Sequence, residues 1–362
     1  MRILDKYILK ELLGPFLFGV AAFSSIFIGT NTLFRIAQFI TQYGASVNTV
    51  VKLFFLSLPS ILVLTFPMSM LLGSLMAFGR LSASSEITAM KSGRVSFYRL
   101  VAPVLIFAFV VSMVTIVINE KVVPLSNATY NRIVTQDVKK EFNPVTQEHI
   151  VVKDVANDVN QRILYARSFD QKTATMTSVT VQEFENNKLV RIENAQKAVW
   201  ANGAWIMYNG IINDVSVDGK VERSLRFNEQ ILPVNKNPES VSKEQKKREE
   251  MTIKELKQQI KTLKMEKVPS GRYEVELHQR VTIPLTCFIF ALIGAPLGLA
   301  PNRSSSSIGL GISVVIIFIY YTMMTIFGTL GQSEKIPPAL AAWIPDIVAM
   351  VVGIYLMKRA SN

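Results

Sequence analysis

The sequence predicts an α-helical integral membrane protein with an antiparallel β domain inserted in its middle, on three observations. Six long apolar runs are present, they fall three before and three after a polar stretch from about Glu120 to Arg280, and much of that stretch alternates with the two-residue period of strands. The runs are Leu12–Ile40, Leu53–Phe78, Leu100–Ile118, Val281–Ala300, Ile308–Leu330 and Ala341–Met357, and none carries a pair of charges at its middle. About 20 apolar residues in a helix cross a hydrocarbon core of about 30 Å. Core helices of a large soluble protein are the alternative, but the length of the runs and their basic flanks argue against it.

Ahead of the first run, Ile3, Leu4, Tyr7, Ile8 and Leu12 recur at helical spacing with Arg2, Asp5, Lys6, Lys10 and Glu11 between them. This pattern suits either a short helix lying in the membrane interface or the first turns of the membrane helix itself. Basic residues before an apolar run resemble a signal peptide, but the run is too long and no small-residue cleavage pattern closes it, so an uncleaved helix is expected. Between the second and third runs, Arg80 to Arg94 carries serines, the acid Glu86 and then Gly93, the marks of a short helix start and stop. Such a structured connection is suited to contact a partner, although a solvated linker is the simpler reading.

In the polar insert, runs at His149–Val155, Arg162–Ser168, Met176–Phe184, Leu189–Ile192 and Trp200–Asp214 are expected strands, with Asn202-Gly203, Asn209-Gly210 and Asp218-Gly219 as turns. An open sheet or partial sandwich could leave one side for a lipid chain or a partner strand. Pro238 to Glu250 reads as a charged linker. Thr252-Ile253-Lys254-Glu255 then forms a capping box, followed by Ile253, Leu256, Ile260 and Leu263 on one face of an amphipathic helix leading back to the membrane. Pro59, Pro67, Pro103, Pro284 and Pro296 lie in or beside the membrane helices and can kink them.

Lysine and arginine set the orientation. One side receives Arg2, Lys6, Lys10, Arg80, Lys91, Arg94, Arg99, Arg303, Lys358 and Arg359, the other only Arg35, Lys52 and Lys335 in its short loops and helix ends. Both termini are therefore expected in the cytoplasm and the insert in the periplasm of a bacterial inner membrane. The net charge of +12 follows mainly from this bias and from a lysine-rich piece near Lys246 to Lys267, and does not point to nucleic acid. The single cysteine, Cys287, leaves the insert without an internal disulfide.

The chain has neither a phosphate-binding loop nor a zinc-binding His-Glu-x-x-His, and its two histidines, His149 and His278, are far apart, so no means of nucleotide hydrolysis or catalytic metal binding is visible. His278 lies where the fourth run meets the outer interface and suits a headgroup-facing role. Arg35 and Asp346 each fall within a turn or two of the expected surface, where snorkelling explains them; for Arg35 the functional reading is contact with an anionic headgroup.

Phe66-Pro67-Met68-Ser69-Met70-Leu71-Leu72-Gly73, then Gly79-Arg80-Leu81 and Ser85-Glu86-Ile87-Thr88-Ala89-Met90, resemble the second helix and following loop of the LptF/LptG permease family. Leu4-Asp5-Lys6-Tyr7-Ile8, and Glu276-Leu277-His278-Gln279-Arg280 before Ala291-Leu292-Ile293-Gly294-Ala295-Pro296-Leu297, resemble the same family, so the likeness covers essentially the whole chain. It implies one transmembrane half of the ABC exporter that extracts lipopolysaccharide from the inner membrane, with no cofactor of its own. The implied partners are an LptB-like ATPase dimer, a second LptF/LptG-type permease or a second copy, and LptC/LptA-like periplasmic β proteins that receive lipid from a jelly-roll-like β domain. By this resemblance the short helix at about residues 82–93 is the coupling helix, with Glu86, Ile87, Met90 and Arg94 as its ATPase contacts. Arg35, Lys52, His278 and Arg280 are the expected lipid-headgroup residues.

The expected organisation is membrane helices in residues 1–120, a β domain in 121–250, a connecting helix and membrane re-entry in 251–280, and membrane helices in 281–362. Two other classes remain open on residues alone. One is a membrane-anchored scaffold or sensor with a periplasmic binding domain. The other is an ion-coupled lipid transporter, which should carry several intramembrane acids where this chain offers Asp346.

Overall fold

The computed structural model describes residues 3–138, 146–155, 160–170, 173–185, 188–201, 203–216, 221–232, 238, 247–265, 268–299 and 306–361. They divide into two compact units, a helical one built from Met1–Asn131, Arg248–Ile260 and Pro269–Asn362, and a mainly β one built from Arg132–Lys247 and Lys261–Val268.

In the helical unit six helices are long and apolar enough to cross a membrane: α1 (Ile3–Tyr43), α2 (Val47–Ala83), α4 (Phe97–Ile133), α6 (Gly271–Gly298), α7 (Ser306–Gln332, the span beginning at Gly309) and α8 (Pro338–Ser361). The short α3 (Glu86–Ser92) joins α2 to α4, and α5 (Ile253–Met265) precedes α6. At 41 residues α1 is about 60 Å long, so it outruns a hydrocarbon core of about 30 Å and starts without a break at Ile3. The residues before the first run are thus the opening turns of α1. Ile8 and Leu12 are buried there in a cluster with Phe78, Leu81, Phe97 and Leu100. Single π-helical turns interrupt α1 at Ile28–Thr32 and α4 at Ile118–Val122, the second carrying Glu120.

The innermost pair is α2 and α6, whose most apolar windows are 72% buried against 17% for α1 and α7. Small residues let the backbones meet. A methyl group built on Gly298 would lie 2.7 Å from Phe78 Cβ and 2.8 Å from the Leu75 carbonyl, and one on Gly294 would lie 2.9 Å from the Leu71 carbonyl. The α1–α2 contact uses the same device, with Gly73 against Phe16 and Gly19 against Ser69, each at 3.1 Å. On the outside, α1, α4, α7 and α8 expose Leu17, Phe18, Ile106, Phe109, Phe318 and Tyr355 among other large apolar side chains, as helices facing lipid do.

The β unit is one antiparallel sheet in sequence order, β1 (Thr146–Val155), β2 (Asn160–Asp170), β3 (Thr175–Glu185), β4 (Lys188–Ala201), β5 (Ala204–Val215) and β6 (Val221–Leu232). The expected inserted antiparallel β domain is present, and among the described strands it is a single-sheet meander rather than the two-sheet arrangement of a jelly roll. Gly203 (φ 80°) stands between β4 and β5 as the Asn202-Gly203 turn requires, although Asn202 itself, like Asp218-Gly219, lies outside the described residues. Arg303 and much of the expected linker from Pro238 also lie outside them. Asn209-Gly210 is not a turn. It sits inside β5, with Gly210 opposite Phe227, whose ring occupies the space a side chain would need.

Asn209 belongs to a crease across the whole sheet. At one level the register passes over His149, Arg167, Ser178, Gln196, Asn209 and Asn228, one residue in each strand. Burial changes parity across that line, from Ala166 to Phe169, Met176 to Val179, Ala195 to Ala198 and Met207 to Gly210. In β3 and β5 the residues at that line, Ser178 (φ 49°) and Asn209 (φ 52°), take a left-handed backbone. Below the crease Trp205, Phe169 and Trp200 pack edge-on as the aromatic part of the core.

Beyond Val181 the same face turns polar. Arg162 pairs with Glu183 at 2.6 Å and Arg191 with Asp214 at 2.8 Å, and Glu193 is buried beside them, accepting from Gln230 at 3.4 Å. Burial raises the Glu193 carboxyl above the ordinary 4.5, against the opposing pull of Arg191. The folded sheet therefore binds this proton more tightly than the unfolded chain, and stability falls as pH rises from about 4.5 through the folded value. Glu193→Gln is expected to raise amide-exchange protection of β4 at pH 7–8 in the full-length protein, and the gain should vanish near pH 4. Equal protection at both pH values in wild type and variant would refute this.

Candidate functional site

At one end of the helical unit, α3 lies beside both chain ends. Asp5 of α1 pairs with Arg99 of α4 at 2.7 Å, and Glu11 of α1 pairs with Arg80 of α2. Lys91 of α3 donates to the Ala360 carbonyl at the end of α8 at 3.0 Å. The local start of α3 differs from an ordinary serine cap. Ser85 takes a left-handed backbone (φ 59°) without a side-chain cap, and Ser84 Oγ donates instead to Glu86 Oε1 at 2.8 Å. Tyr7 OH donates to Glu86 Oε2 at 2.7 Å. The stop also differs. Gly93 keeps a negative φ (−76°), and Arg94 (φ 58°) makes the left-handed turn that lets Val95 N–H reach the Met90 carbonyl at 3.1 Å.

The four residues expected as ATPase contacts thus face two ways. Ile87 is 4% exposed within the bundle core and Met90 packs against the same cluster, so this pair fastens α3 to the helices beneath it. Arg94 is exposed, and half-buried Glu86 holds its carboxylate at the surface between Tyr7 and Ser84. The helix thus presents charged side chains above an apolar inner side.

At the opposite end of the helical unit, Arg280 of α6 is 4% exposed and already matched by carboxylates. Glu120 approaches its guanidinium at 3.7 Å and Glu276 at 3.8 Å, while Arg280 also donates to the Arg248 carbonyl at 3.1 Å. Around it the departing α4 is stitched to the segment returning before α5. Asn127 donates to the Glu249 carbonyl at 3.1 Å, Asn131 bonds Glu250, and the Ile253 N–H donates to both Glu120 oxygens at 3.0 Å. The expected capping box is present in the same place, Thr252 N–H to Glu255 at 2.8 Å and Glu255 N–H to Thr252 Oγ at 3.3 Å. A cleft of about 170 Å³ opens beside this clasp, lined by Ser60, Asn119, Asn127, Glu249, Glu276 and Arg280 over Val63, Leu64 and Ile283.

The other expected headgroup residues are dispersed. Arg35 and Lys52 are exposed, Arg35 close to the Tyr130 phenol, and half-buried His278 accepts from the Trp343 indole at 3.4 Å. Only Arg280 of the four is buried, and its charge is spent on glutamates within the chain.

Asp346 corrects the expectation of a snorkelling acid. It is 2% exposed, and its Oδ1 accepts from Tyr320 OH at 2.6 Å and Thr286 Oγ at 3.0 Å, tying α6, α7 and α8 together. Its partners are hydroxyls on the two preceding membrane helices, which no local spacing brings together. Glu120, Glu276 and Tyr7 were also outside the expected site. Their one sequence signal is position, an acid or phenol at the end of an apolar run.

The family model for the lipopolysaccharide export system permease LptF/LptG matches residues 6–359. The lipopolysaccharide export system permease protein LptG of Escherichia coli K12 is 23% identical over 379 residues, covering 99% of both chains. LptG of Haemophilus influenzae is 21% identical with 98% of both chains covered, and LptF of Escherichia coli K12 is 20% identical with 98% of this chain and 94% of that one. With six membrane-length helices and a β insert in a chain matched from end to end, this protein belongs to the LptF/LptG family of lipopolysaccharide export permeases, multi-pass proteins of the inner membrane.

Proposed function

We propose that the chain is one membrane half of an exporter that lifts lipopolysaccharide, or a related anionic glycolipid, out of the inner membrane and passes it to a periplasmic bridge. A separate LptB-like ATPase dimer supplies the energy, and the second half is another LptF/LptG-type permease or a second copy of this chain. Both termini and α3 then lie in the cytoplasm and the β unit in the periplasm, with LptC/LptA-like β proteins as the next acceptors. The observation that carries this reading is α3 itself, a short helix held by Ile87 in the bundle core while the Glu86 carboxylate sits in a solvent-exposed hydrogen bond and Arg94 is exposed, at the end where α1 begins and α8 ends. Nucleotide-driven closure of the ATPase pushes on Glu86, and the apolar anchor transmits the push to α2 and α4. The chain is a transport subunit, and ATP hydrolysis belongs to the partner.

Mass spectrometry of the tagged chain, solubilised gently from its native membrane, tests this for wild type and Glu86→Lys. A phosphate-loop ATPase is expected with the wild type and is expected to be lost, with lipid export abolished, in the variant, while membrane insertion is unchanged. An ATPase retained equally by both would overturn the docking role of Glu86. No ATPase under several mild detergents would favour a membrane-anchored scaffold or sensor, or an ion-coupled transporter.

A further inference from the structure

We propose that Tyr7 is an intrachain competitor for the Glu86 carboxylate, holding it while α3 is undocked and releasing it when a cation of the partner takes it, so that docking is felt directly by α1. This rests on the reading of α3 as the docking helix.

The acids at this end are Asp5, Glu11 and Glu86. Asp5 and Glu11 are paired with Arg99 and Arg80, whereas no cation pairs with Glu86 among the described residues. Both Glu86 oxygens are occupied all the same, one by Tyr7 OH at 2.7 Å and one by Ser84 Oγ at 2.8 Å. Two neutral hydroxyls form a weaker embrace than one guanidinium, which meets a carboxylate with two charge-assisted hydrogen bonds. The Tyr7 bond is also exposed to solvent, which makes exchange easy. Glu86 is thus a carboxylate kept in position and left ready for a better partner.

Tyr7 is also placed to report the exchange. It stands 79 residues away in sequence on a different helix, immediately before Ile8 (1% exposed) and five residues before Leu12 (0% exposed), both fixed in the bundle core. The phenol is therefore mounted on a packed part of α1, and α1 continues to Tyr43, the same helix that carries Arg35. Ile87 carries the push of docking into the core, while loss of the Tyr7 bond removes the side-chain tie between Glu86 and the first turns of α1, which Ile8 and Leu12 keep packed. Tyr7 is a positioning residue, and its phenol oxygen is the only atom the proposal needs.

The test titrates the LptB-like ATPase that co-purifies with the wild type onto the full-length chain in lipid nanodiscs, for wild type, Tyr7→Phe, Glu86→Ala and the double variant. Removal of a competing exposed hydrogen bond is expected to tighten binding in Tyr7→Phe by about threefold to fivefold, the sign opposite to that of a structural defect. Glu86→Ala is expected to lose binding, and the double variant to match Glu86→Ala because the competitor acts only through that carboxylate. In proteoliposomes of the whole assembly, Tyr7→Phe is expected to release less lipid per ATP hydrolysed. Unchanged or weaker binding in Tyr7→Phe, with Glu86→Ala defective, overturns the competition and leaves the docking reading standing. Tighter binding at an unchanged lipid-to-ATP ratio overturns the relay to α1. Normal binding by Glu86→Ala overturns the docking reading itself.

Discussion

Gly294→Val is expected to cost about 3 kcal/mol or more and to lower the thermal midpoint of the detergent-solubilised protein by several degrees. The first atom of any side chain there meets the Ser74 side chain and, at 2.9 Å, the Leu71 carbonyl, and a carbonyl within a helix cannot swing away as a flexible side chain can. Relief requires α2 and α6 to separate, and these are the two most buried helices. Gly311→Ala is the internal control, because nothing lies within 4 Å of the place its methyl group would take and the helix gains about 1 kcal/mol of intrinsic preference. A Gly294→Val midpoint equal to that of Gly311→Ala would show that the bundle does not rely on this approach.

Arg280→Met is expected to destabilise by about 2 kcal/mol in detergent without any lipopolysaccharide present. Removing one partner of a fully buried ion pair costs about 3–5 kcal/mol, and the partial exposure of Glu120 (28%) and Glu276 (25%) reduces that figure here. The cause is that both glutamates lose their buried cation, so adding Glu276→Gln should restore part of the loss, as a double-mutant cycle can measure. Proteolysis should show the same order, with the segment around Arg248 cut faster in Arg280→Met. If the variant is as stable as wild type in lipid-free detergent and differs only when lipopolysaccharide is added, Arg280 binds the lipid and the clasp is incidental.

These two residues also mark what could be read in the chain. The six membrane helices were legible because a run of about 20 apolar residues has few other uses, and the Thr252–Glu255 capping box because its signal is local. Glu86 at the head of a short helix was legible for the same reason. The Arg280 clasp was not, since Glu120 and Arg280 are 160 positions apart in the numbering and only the fold brings them to 3.7 Å. Asp346 misled because distance from a helix end says nothing about which face it occupies, and its partners Thr286 and Tyr320 come from two other helices. Strand β6 was missed because Val221 to Leu232 is rich in charged and amide side chains and alternates poorly. Its pairing with β5, which places Phe227 over Gly210, supplies what its own pattern lacks. Asn209-Gly210 has the composition of a turn and the position of a crease.

That crease gives the outer strands of the described sheet a phase. A uniform strand edge accepts a newcomer in any register that differs by two residues, since each such slip keeps the same side chains on the same face. Here the edge strands β1 and β6 carry the interruption at His149 and Asn228. A strand that extended the sheet would meet this level, where the pairing within the sheet is interrupted without a change of offset. For a strand added at either edge, registers two residues apart would therefore no longer be equivalent.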